Sequence, residues 1–224
     1  MNSTIELIDF LQKNSDSDYR RFHAKLLPRG TLLYGVRIPV LRSLAKTLVA
    51  EENTEILRCA DGTYYEIRLL RGLVAAMRKG STEERIARIC DFAATIENWA
   101  ECDTVAATCK WIRRYKEKTF AAIGNLLASD KEYEVRFGVV LILCYYLDEA
   151  WLKRALDAVA TVRHPGYYVK MAVAWCISKA MIESEEDALP VLEAADPEIQ
   201  KMARQKLRDS YRYRGKAGKE IDKA

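Results

Sequence analysis

The sequence predicts an all-α fold in which antiparallel helix pairs stack into one solenoid domain spanning residues 1–224. Apolar residues recur at spacings of three and four, as at Leu41, Leu44, Ala45 and Leu48, which is the period of an amphipathic helix. Only 10 Gly and 5 Pro interrupt the 224 residues, whereas an all-β protein needs a turn roughly every 8–12 residues. Short strings also recur at a nearly constant interval, which is typical of helical-repeat proteins.

Thirteen helices follow from the apolar periodicity and from the breakers between the periodic segments. Pro39 and Pro197 suit the first turn of a helix, where a missing N–H is tolerated. Ser81 and Glu84 have the spacing of a capping box, in which each side chain accepts a hydrogen bond from the backbone of the other. The predicted helices cover residues 4–12, 17–27, 39–49, 53–60, 64–79, 82–95, 101–113, 115–128, 132–147, 149–161, 167–182, 185–193 and 197–213.

Three similar strings indicate internal repetition: YYEIR at 64–68, EYEVR at 132–136 and YYVK at 167–170, each at the start of a long apolar stretch. Their second residues are tyrosines separated by 68 and 35 positions, and 68 is twice 34. The missing copy should therefore start near residue 99, where Trp99 begins a helix. A repeat of about 34 to 35 residues holds two helices, which favours a solenoid over the alternative of a generic helical bundle.

The net charge of +4 is distributed unevenly along the chain. Residues 201–224 hold nine Lys or Arg and three Asp or Glu. The basic segment 197–224 is predicted to be helical, and either phosphate contact or simple solvation would account for its charge. Basic side chains also recur at the repeated helix starts and just after the Trp99 helix, where they would form a positive track if they lay on one surface and would otherwise be solvated helix ends. These residues are Arg68, Arg71, Arg113, Arg114, Lys116, Lys118, Arg136 and Lys170.

Composition and motifs disfavour several other classes of protein. The longest strongly apolar stretch, Phe137 to Leu147, is about half of the roughly 20 residues that a membrane span needs. The first residues lack a secretory signal pattern, so a cytoplasmic location is expected. The six cysteines form no C-x-x-C pair, and the chain has only two histidines, so we expect no metal site and interpret the cysteines as core residues.

One constellation could carry chemistry. Trp99 and Asp103 are four residues apart, so an aromatic ring and a carboxylate share one helix face. Arg136 opens the next repeated helix, and Trp175 lies in the last one. In a regular solenoid these side chains would converge on one concave patch. The alternative is a core tryptophan and an aspartate that only complements the helix dipole.

Three segments together resemble the DNA alkylation repair family: GVRIPVLRSLAK (35–46), NWAECD (98–103) and YYVKMAVAW (167–175). The AlkD-like members of that family are HEAT-like repeat alkylpurine DNA glycosylases, and the resemblance covers nearly the whole chain. It implies a right-handed solenoid of HEAT-like antiparallel helix pairs, an α-α superhelix. The implied catalytic residues are Trp99, Asp103 and Trp175, and the expected DNA-binding residues are Arg68, Arg113, Arg136, Lys170 and Lys179.

The resemblance implies hydrolysis of the N-glycosidic bond of cationic N3- or N7-alkylpurines in duplex DNA. Asp103 would stabilise the positive charge that develops on the deoxyribose and orient the attacking water. Trp99 and Trp175 would pack against that sugar, because indole faces attract cations, and Arg136 would hold a phosphate. No metal or other cofactor is implied, and the chain is expected to act on alkylated duplex DNA as a monomer.

Two departures from the family pattern favour alternatives. Active relatives carry an arginine three residues after the second tryptophan, where this chain has Ser178 followed by Lys179. They also carry a short N-terminal helix that probes the duplex, whereas Pro28 and Gly30 make a helix unfavourable within His23–Tyr34. A non-catalytic or weakly DNA-binding paralogue is therefore the first alternative, and a scaffold for a protein partner is the second.

Overall fold

The computed structural model describes residues 3–210, within which there are thirteen α-helices and one 3₁₀ helix and no strands. No helix in this part of the chain combines the length and the apolarity that a membrane span would need. The helices are α1 (Thr4–Lys13), α2 (Ser17–Ala24), α3 (Ile38–Ala50), α4 (Ile56–Cys59), α5 (Tyr65–Met77), α6 (Thr82–Ala93), α7 (Trp99–Ala106), the 3₁₀ helix (Lys110–Arg114), α8 (Lys116–Leu127), α9 (Glu132–Tyr145), α10 (Leu152–Ala160), α11 (Tyr167–Glu183), α12 (Glu185–Ala194) and α13 (Pro197–Asp209).

The all-helical prediction is confirmed, and the start signals function as expected. Pro39 and Pro197 lie in the first turns of α3 and α13. Ser81 and Glu84 form both hydrogen bonds of a capping box at the start of α6. The repeated strings open α5, α9 and α11, and Trp99 is the first residue of α7. The basic segment predicted over 197–224 is described only as far as residue 210, and its remainder lies outside the described residues.

The helix predicted for 101–113 is wrong in its bounds, because the structure has two elements there, α7 and the 3₁₀ helix. The carbonyl of Thr104 accepts hydrogen bonds from Arg42 Nη2 at 3.3 Å and from the Thr108 hydroxyl at 2.8 Å. The backbone N–H of Thr108 donates to the Val105 carbonyl at 2.9 Å, which changes the pattern from i→i−4 to i→i−3. Arg42 belongs to α3, so a side chain distant in sequence contributes to this break.

The chain divides into two compact units, Met1–Cys109 and Lys110–Ala224. In the N-terminal unit, α5 packs against α3, α6 and α7. Leu69 and Leu73 of α5 are fully buried. A Cβ at Gly72 would come within 2.5 Å of the Phe92 ring and a Val105 methyl, so only glycine allows α6 and α7 to approach α5 this closely.

In the C-terminal unit, α11 packs against α9, α12 and α13, and α8 also covers α9. Phe137, Val139, Leu141 and Ile142 of α9 are fully buried. These residues point to different sides of the helix, so α9 is apolar all round because neighbours cover it on more than one side.

Alternate helices are neighbours within each unit: α5 contacts α3 and α7 in the first, and α11 contacts α9 and α13 in the second. This neighbour pattern is the one expected where helix pairs stack side by side. One solenoid domain running through residues 1–224 stays a prediction.

The segment 25–37, between α2 and α3, contains no helix. Pro28 and Gly30 led us to expect this from residue 28 onward, whereas the helix predicted for 17–27 ends earlier than expected, at Ala24. Gly35 has a φ of 91°, in the left-handed region that favours glycine. A Cβ at this position would lie 2.5 Å from the Cβ of Arg20, which closes the site to any larger residue. We call residues 25–37 the α2–α3 loop.

Glu66 holds the end of the α2–α3 loop. Its buried carboxylate accepts hydrogen bonds from the backbone N–H groups of Tyr34, Gly35 and Val36 at 3.0, 2.7 and 3.2 Å. Three consecutive amides on one carboxylate fix the course of the backbone into α3. The glutamate of YYEIR therefore has a structural task that explains why the loop, although irregular, has a defined conformation.

Candidate functional site

The start of α7 is organised by Asn98 and Glu101. Asn98 is the N-cap, and its side-chain oxygen accepts from the Glu101 N–H at 3.0 Å while its amide donates to the Glu101 carboxylate at 2.8 Å. Glu101 is fully buried, so this side of α7 faces the interior. Trp99 and Asp103, two residues before and after Glu101, are only half-buried. The helix thus holds the candidate catalytic pair away from its innermost face.

Trp99 is anchored by the α2–α3 loop. Its indole Nε1–H donates to the Leu26 carbonyl oxygen at 2.9 Å. Because one hydrogen bond and partial burial restrict the ring, the indole has a defined orientation while part of its surface remains accessible. The α2–α3 loop therefore positions the first tryptophan.

Asp103 lies one helical turn after Trp99 and is partly exposed, whereas its neighbour Cys102 is fully buried. The half-buried position of Asp103 leaves part of the residue accessible to a ligand and excludes a purely interior role. A partly shielded carboxylate beside an aromatic ring can stabilise developing positive charge more strongly than one in bulk water.

A buried ion pair between Arg68 and Glu101 joins α7 to α5. Arg68 of α5 is 8% exposed, and its Nε donates to Glu101 at 2.9 Å while its Nη2 lies 3.2 Å from Glu97. Its Nη1 also donates to the carbonyls of Gly62 and Thr63. Burial raises the pKa of Glu101, and the Arg68 guanidinium opposes that rise.

A polar cleft of about 370 Å³ lies beside this network in the N-terminal unit. The α2–α3 loop forms one wall, and Arg68, Glu97 and Asn98 contribute to its lining. Since Asn98 directly precedes Trp99, the cleft adjoins the start of the helix that carries the candidate pair.

Arg136, the counterpart of Arg68 in the repeated string, has an equivalent task in the C-terminal unit. It is 6% exposed, and its Nη1 donates to the Tyr168 carbonyl at 2.7 Å. Glu132 accepts from the Tyr168 N–H at 2.7 Å, so two side chains of α9 bind the backbone N–H and C=O of one residue at the start of α11. Arg68 and Arg136 thus tie each repeated helix to the start of a later one, and their expected contacts with DNA stay predictions.

Trp175 of α11 is 36% exposed and lies at a second cleft, of about 360 Å³. Lys179 lines the same cleft, and Lys206 of α13 places its Nζ 5.7 Å from the centroid of the indole ring. Ser178 is 5% exposed and its hydroxyl donates to the Trp175 carbonyl at 2.8 Å. Position 178 therefore carries an inward-facing hydroxyl.

The other two expected DNA-binding residues are also in the C-terminal unit. Lys170 forms an ion pair with Glu198 of α13, with 2.6 Å between Nζ and Oε2. Arg113 is exposed on the 3₁₀ helix, and its guanidinium carbon lies 5.9 Å from the centroid of the Tyr145 ring. Of these two cations, Arg113 is the more accessible to a phosphate.

The structure therefore brings Trp99 and Asp103 together on α7, and Trp175 and Lys179 together on α11. The prediction that one concave patch unites residues of both units stays a prediction. Sequence reasoning missed Lys206 as a site residue. Ile199, Ala203 and Leu207 form the buried stripe of α13, and Lys206 directly precedes Leu207. This position was the signal that Lys206 flanks the packed side of the helix.

Comparison with known families agrees with the resemblance seen in the sequence. The family model described as DNA alkylation repair enzyme matches residues 7–213, and no curated protein matches the chain. The matched region begins within α1, includes both candidate clefts and extends beyond α13. On this match, which covers most of its length, the chain belongs to the DNA alkylation repair enzyme family.

Proposed function

We propose that this protein is a DNA glycosylase that hydrolyses the N-glycosidic bond of cationic N3- and N7-alkylpurines in duplex DNA. The observation that carries the proposal is the arrangement on α7: a partly exposed Asp103 one turn from Trp99, whose indole N–H is fixed on the Leu26 carbonyl. Family membership makes DNA damaged by alkylation the substrate class to test first.

The reaction requires stabilisation of positive charge on a sugar. As the bond between C1′ and the base nitrogen breaks, the base takes the electron pair and the deoxyribose becomes oxocarbenium-like. Asp103 stabilises that charge and orients a water molecule, whose oxygen bonds to C1′ while its proton passes to solvent or to the carboxylate. A cationic alkylpurine leaves as a neutral base, so the step needs no general acid. The products are the alkylated base and an abasic site.

The indoles contribute through their faces. A positively charged sugar is attracted to the electron-rich face of an indole by about 0.5–2 kcal/mol. Trp99 and Trp175, both with accessible surface, are the two rings that we assign to this role. Because the attraction grows with the charge on the sugar, it favours the transition state over the ground state.

Cations of the C-terminal unit supply the affinity for duplex DNA. Arg113 is exposed, Lys179 lines the Trp175 cleft, and Lys170 is held by Glu198 on α13. Each ammonium or guanidinium that neutralises a phosphate releases counterions, so affinity falls steeply as salt rises. For Arg68 and Arg136 we propose that positioning of the helix starts is the main contribution to binding, because both are buried.

The test is release of base from a duplex that contains a single N7-methylguanine. The expected result is free N7-methylguanine together with an abasic site that alkali cleaves. Asp103→Asn should remove this release, whereas Asp91→Asn, which neutralises an exposed carboxylate on α6, should not. The absence of release by the wild-type chain above the Asp103→Asn level would reject the glycosylase proposal.

A second candidate function is DNA binding without excision, and Ser178 is the observation that favours it. A serine carries no positive charge, and the one O–H of Ser178 already donates to the Trp175 carbonyl, so this side chain contributes neither a charge nor a donor to a phosphate. Salt-dependent binding of duplex DNA without base release would support this alternative. Undetectable binding at low salt would remove both DNA functions and leave the protein-scaffold reading.

A further inference from the structure

Arg42 is a half-buried residue of α3 whose guanidinium reaches the C-terminal end of α7. Its Nη1 donates to the Thr108 hydroxyl at 2.6 Å, and its Nη2 donates to the Thr104 carbonyl at 3.3 Å. The Thr108 hydroxyl donates in turn to the same carbonyl at 2.8 Å. One side chain of α3 thus binds two groups at the end of the helix that carries Trp99 and Asp103.

These contacts begin at the residue after Asp103. The Asp103 carbonyl accepts from the Ala107 N–H at 3.0 Å, which is the last i→i−4 bond of α7, since the Thr108 N–H donates three residues back instead. In place of a backbone N–H, the Thr104 carbonyl accepts from Arg42 and from the Thr108 hydroxyl. A cation is also favourable at this end of a helix, where the dipole is negative.

The short length of α7 makes its two ends important. The helix has eight residues, and a helix this short depends on contacts with its neighbours for its stability. Arg68 holds its start through Glu101, and Arg42 holds its end. Helix ends fray first, so loss of the contacts at Thr104 would next open the bond that ends on Asp103. A regular helix would then no longer fix the direction of the Asp103 carboxylate.

The place of Arg42 follows from the packing of α3 on α5. Leu41, Leu44 and Leu48 are buried, and Arg42 directly follows Leu41 at the flank of this apolar side. Glu66 of α5 accepts from the three backbone amides that lead into α3. The helix that carries Arg42 is therefore fixed by its own contacts with α5.

We propose that Arg42 is a positioning residue for Asp103: it binds the carbonyl of the following residue, fixes the last turn of α7 and so keeps the Asp103 carboxylate directed at the charged sugar. The inference rests on the proposed function, because it concerns the same carboxylate. The guanidinium acts through the helix and touches neither the sugar nor the base. Its planar fork suits this task, since it donates to a hydroxyl and a carbonyl at once.

The test compares the affinities for two duplexes that differ at one position. One carries a neutral tetrahydrofuran abasic site, and the other carries a cationic pyrrolidine analogue of the charged sugar. The wild type should bind the cationic duplex about a hundredfold more tightly, as enzymes bind transition-state analogues, and Asp103→Asn should lose this preference. Arg42→Met should lose at least about tenfold of it, because a misplacement of about 1 Å can cost about a hundredfold.

Two further variants control this comparison. Lys46→Met removes an exposed cation one turn later on α3, and it should keep the full preference. Thr108→Val removes the hydroxyl that links Arg42 to the Thr104 carbonyl, and it should lose part of the preference even if Arg42→Met is too unstable to measure. Full preference in Thr108→Val and in any folded Arg42→Met would overturn the inference. So would an equal loss of affinity for both duplexes in Arg42→Met, since that would make Arg42 a direct DNA contact.

Hydrogen exchange at the Ala107 amide, which donates to the Asp103 carbonyl, gives a second measurement without DNA. Arg42→Met should raise its exchange rate by about tenfold or more, as removal of a hydrogen bond from a charged donor does. Lys46→Met should leave the rate unchanged. An unchanged rate in Arg42→Met would show that the last turn of α7 does not depend on Arg42, and would overturn the inference.

The two proposals fail in different ways. A wild type that releases no base but prefers the cationic duplex, with that preference reduced in Arg42→Met, loses the glycosylase proposal and keeps this inference. A wild type that releases base, while Arg42→Met keeps the full preference, loses this inference alone. A wild type without any preference for the cationic duplex loses both, because Asp103 then has no effect on the charged sugar.

Discussion

Arg68 and Glu101 form a buried ion pair, 2.9 Å between Nε and Oε1, that joins α5 to the start of the helix carrying Trp99 and Asp103. Both residues are at most 8% exposed. Removal of one partner from such a pair leaves an uncompensated buried charge, whereas removal of both does not. The pair therefore contributes to the stability of the packing of α7 on α5. We assign neither residue a contact with the reacting atoms.

The first prediction is a double-mutant cycle on this pair. Arg68→Met should destabilise the fold by about 3–5 kcal/mol, because the Glu101 carboxylate is then buried without its cation. The Arg68→Met, Glu101→Gln double variant should lose clearly less than the sum of the two single variants. Urea unfolding measures these free energies, and simple additivity would contradict the assigned coupling.

The pH dependence of Arg68→Met follows from the Glu101 pKa. Burial raises this pKa above its ordinary value of 4.5 with Arg68 present, and loss of the guanidinium should raise it further. A raised carboxyl pKa stabilises the fold at low pH, and that contribution is lost as the pH rises through the folded-state pKa. Relative to the wild type, Arg68→Met should therefore be least destabilised in mild acid.

The second prediction concerns Glu66 and the loop that holds Trp99. Glu66→Gln replaces a carboxylate that accepts three backbone N–H groups, and we expect a loss of about 1–3 kcal/mol. Hydrogen exchange should show faster exchange at the amides of Gly35 and Val36. Glu55→Gln, at an exposed glutamate, is the control and should leave both amides protected. Unchanged protection in Glu66→Gln would refute this role.

The third prediction separates the indole ring of Trp99 from its N–H group. Trp99→Phe keeps an aromatic face but loses the hydrogen bond to the Leu26 carbonyl, so the fold should lose only about 0.5–1.5 kcal/mol. Base release should fall by about tenfold to a hundredfold, because the ring is no longer held in position. Trp151→Phe, at another half-buried tryptophan, is the control. Equal effects of the two changes on release would count against anchoring.

The fourth prediction concerns His23, a buried residue of α2 whose ring stacks on Tyr19. Burial lowers the pKa of His23 below its ordinary value of 6.5, and the Glu66 carboxylate opposes that shift. Below about pH 6.5 the unfolded chain therefore binds a proton that the folded chain resists, and stability falls as the pH falls through this range. His23→Phe should remove that part of the pH dependence, measured by urea unfolding between about pH 5 and 7.5. An unchanged profile would show that His23 does not cause it.

The number and approximate bounds of the helices could be predicted because apolar spacing and breakers are local signals. The capping box at Ser81 and the helix start at Trp99 are examples, since each depends on residues within one turn. The end of α7 could not be predicted, because Arg42, which belongs to α3, donates a hydrogen bond to the Thr104 carbonyl of α7. The residues next to Thr104 in the sequence do not indicate this hydrogen bond, because its donor lies 62 positions away.

The sequence could predict which residue types form the candidate site. It could not predict the burial of these side chains or their hydrogen-bond partners. Arg68 and Arg136 occupy repeated positions that suggested a positive surface, yet their partners lie 33 and 32 residues away and both side chains are buried. Burial of an arginine depends on partners that only the folded chain supplies. For the same reason Lys206 was counted as part of a basic tail, although packing brings it to the Trp175 ring.

The central claim is that the Asp103 carboxylate stabilises the charged sugar, and single-turnover kinetics test it most directly. The rate constant for N7-methylguanine release should fall by about 10²–10³-fold in Asp103→Asn, with duplex affinity within about twofold of the wild type. Asp91→Asn should match the wild type in both. Equal rate constants for Asp103→Asn and the wild type would contradict the account.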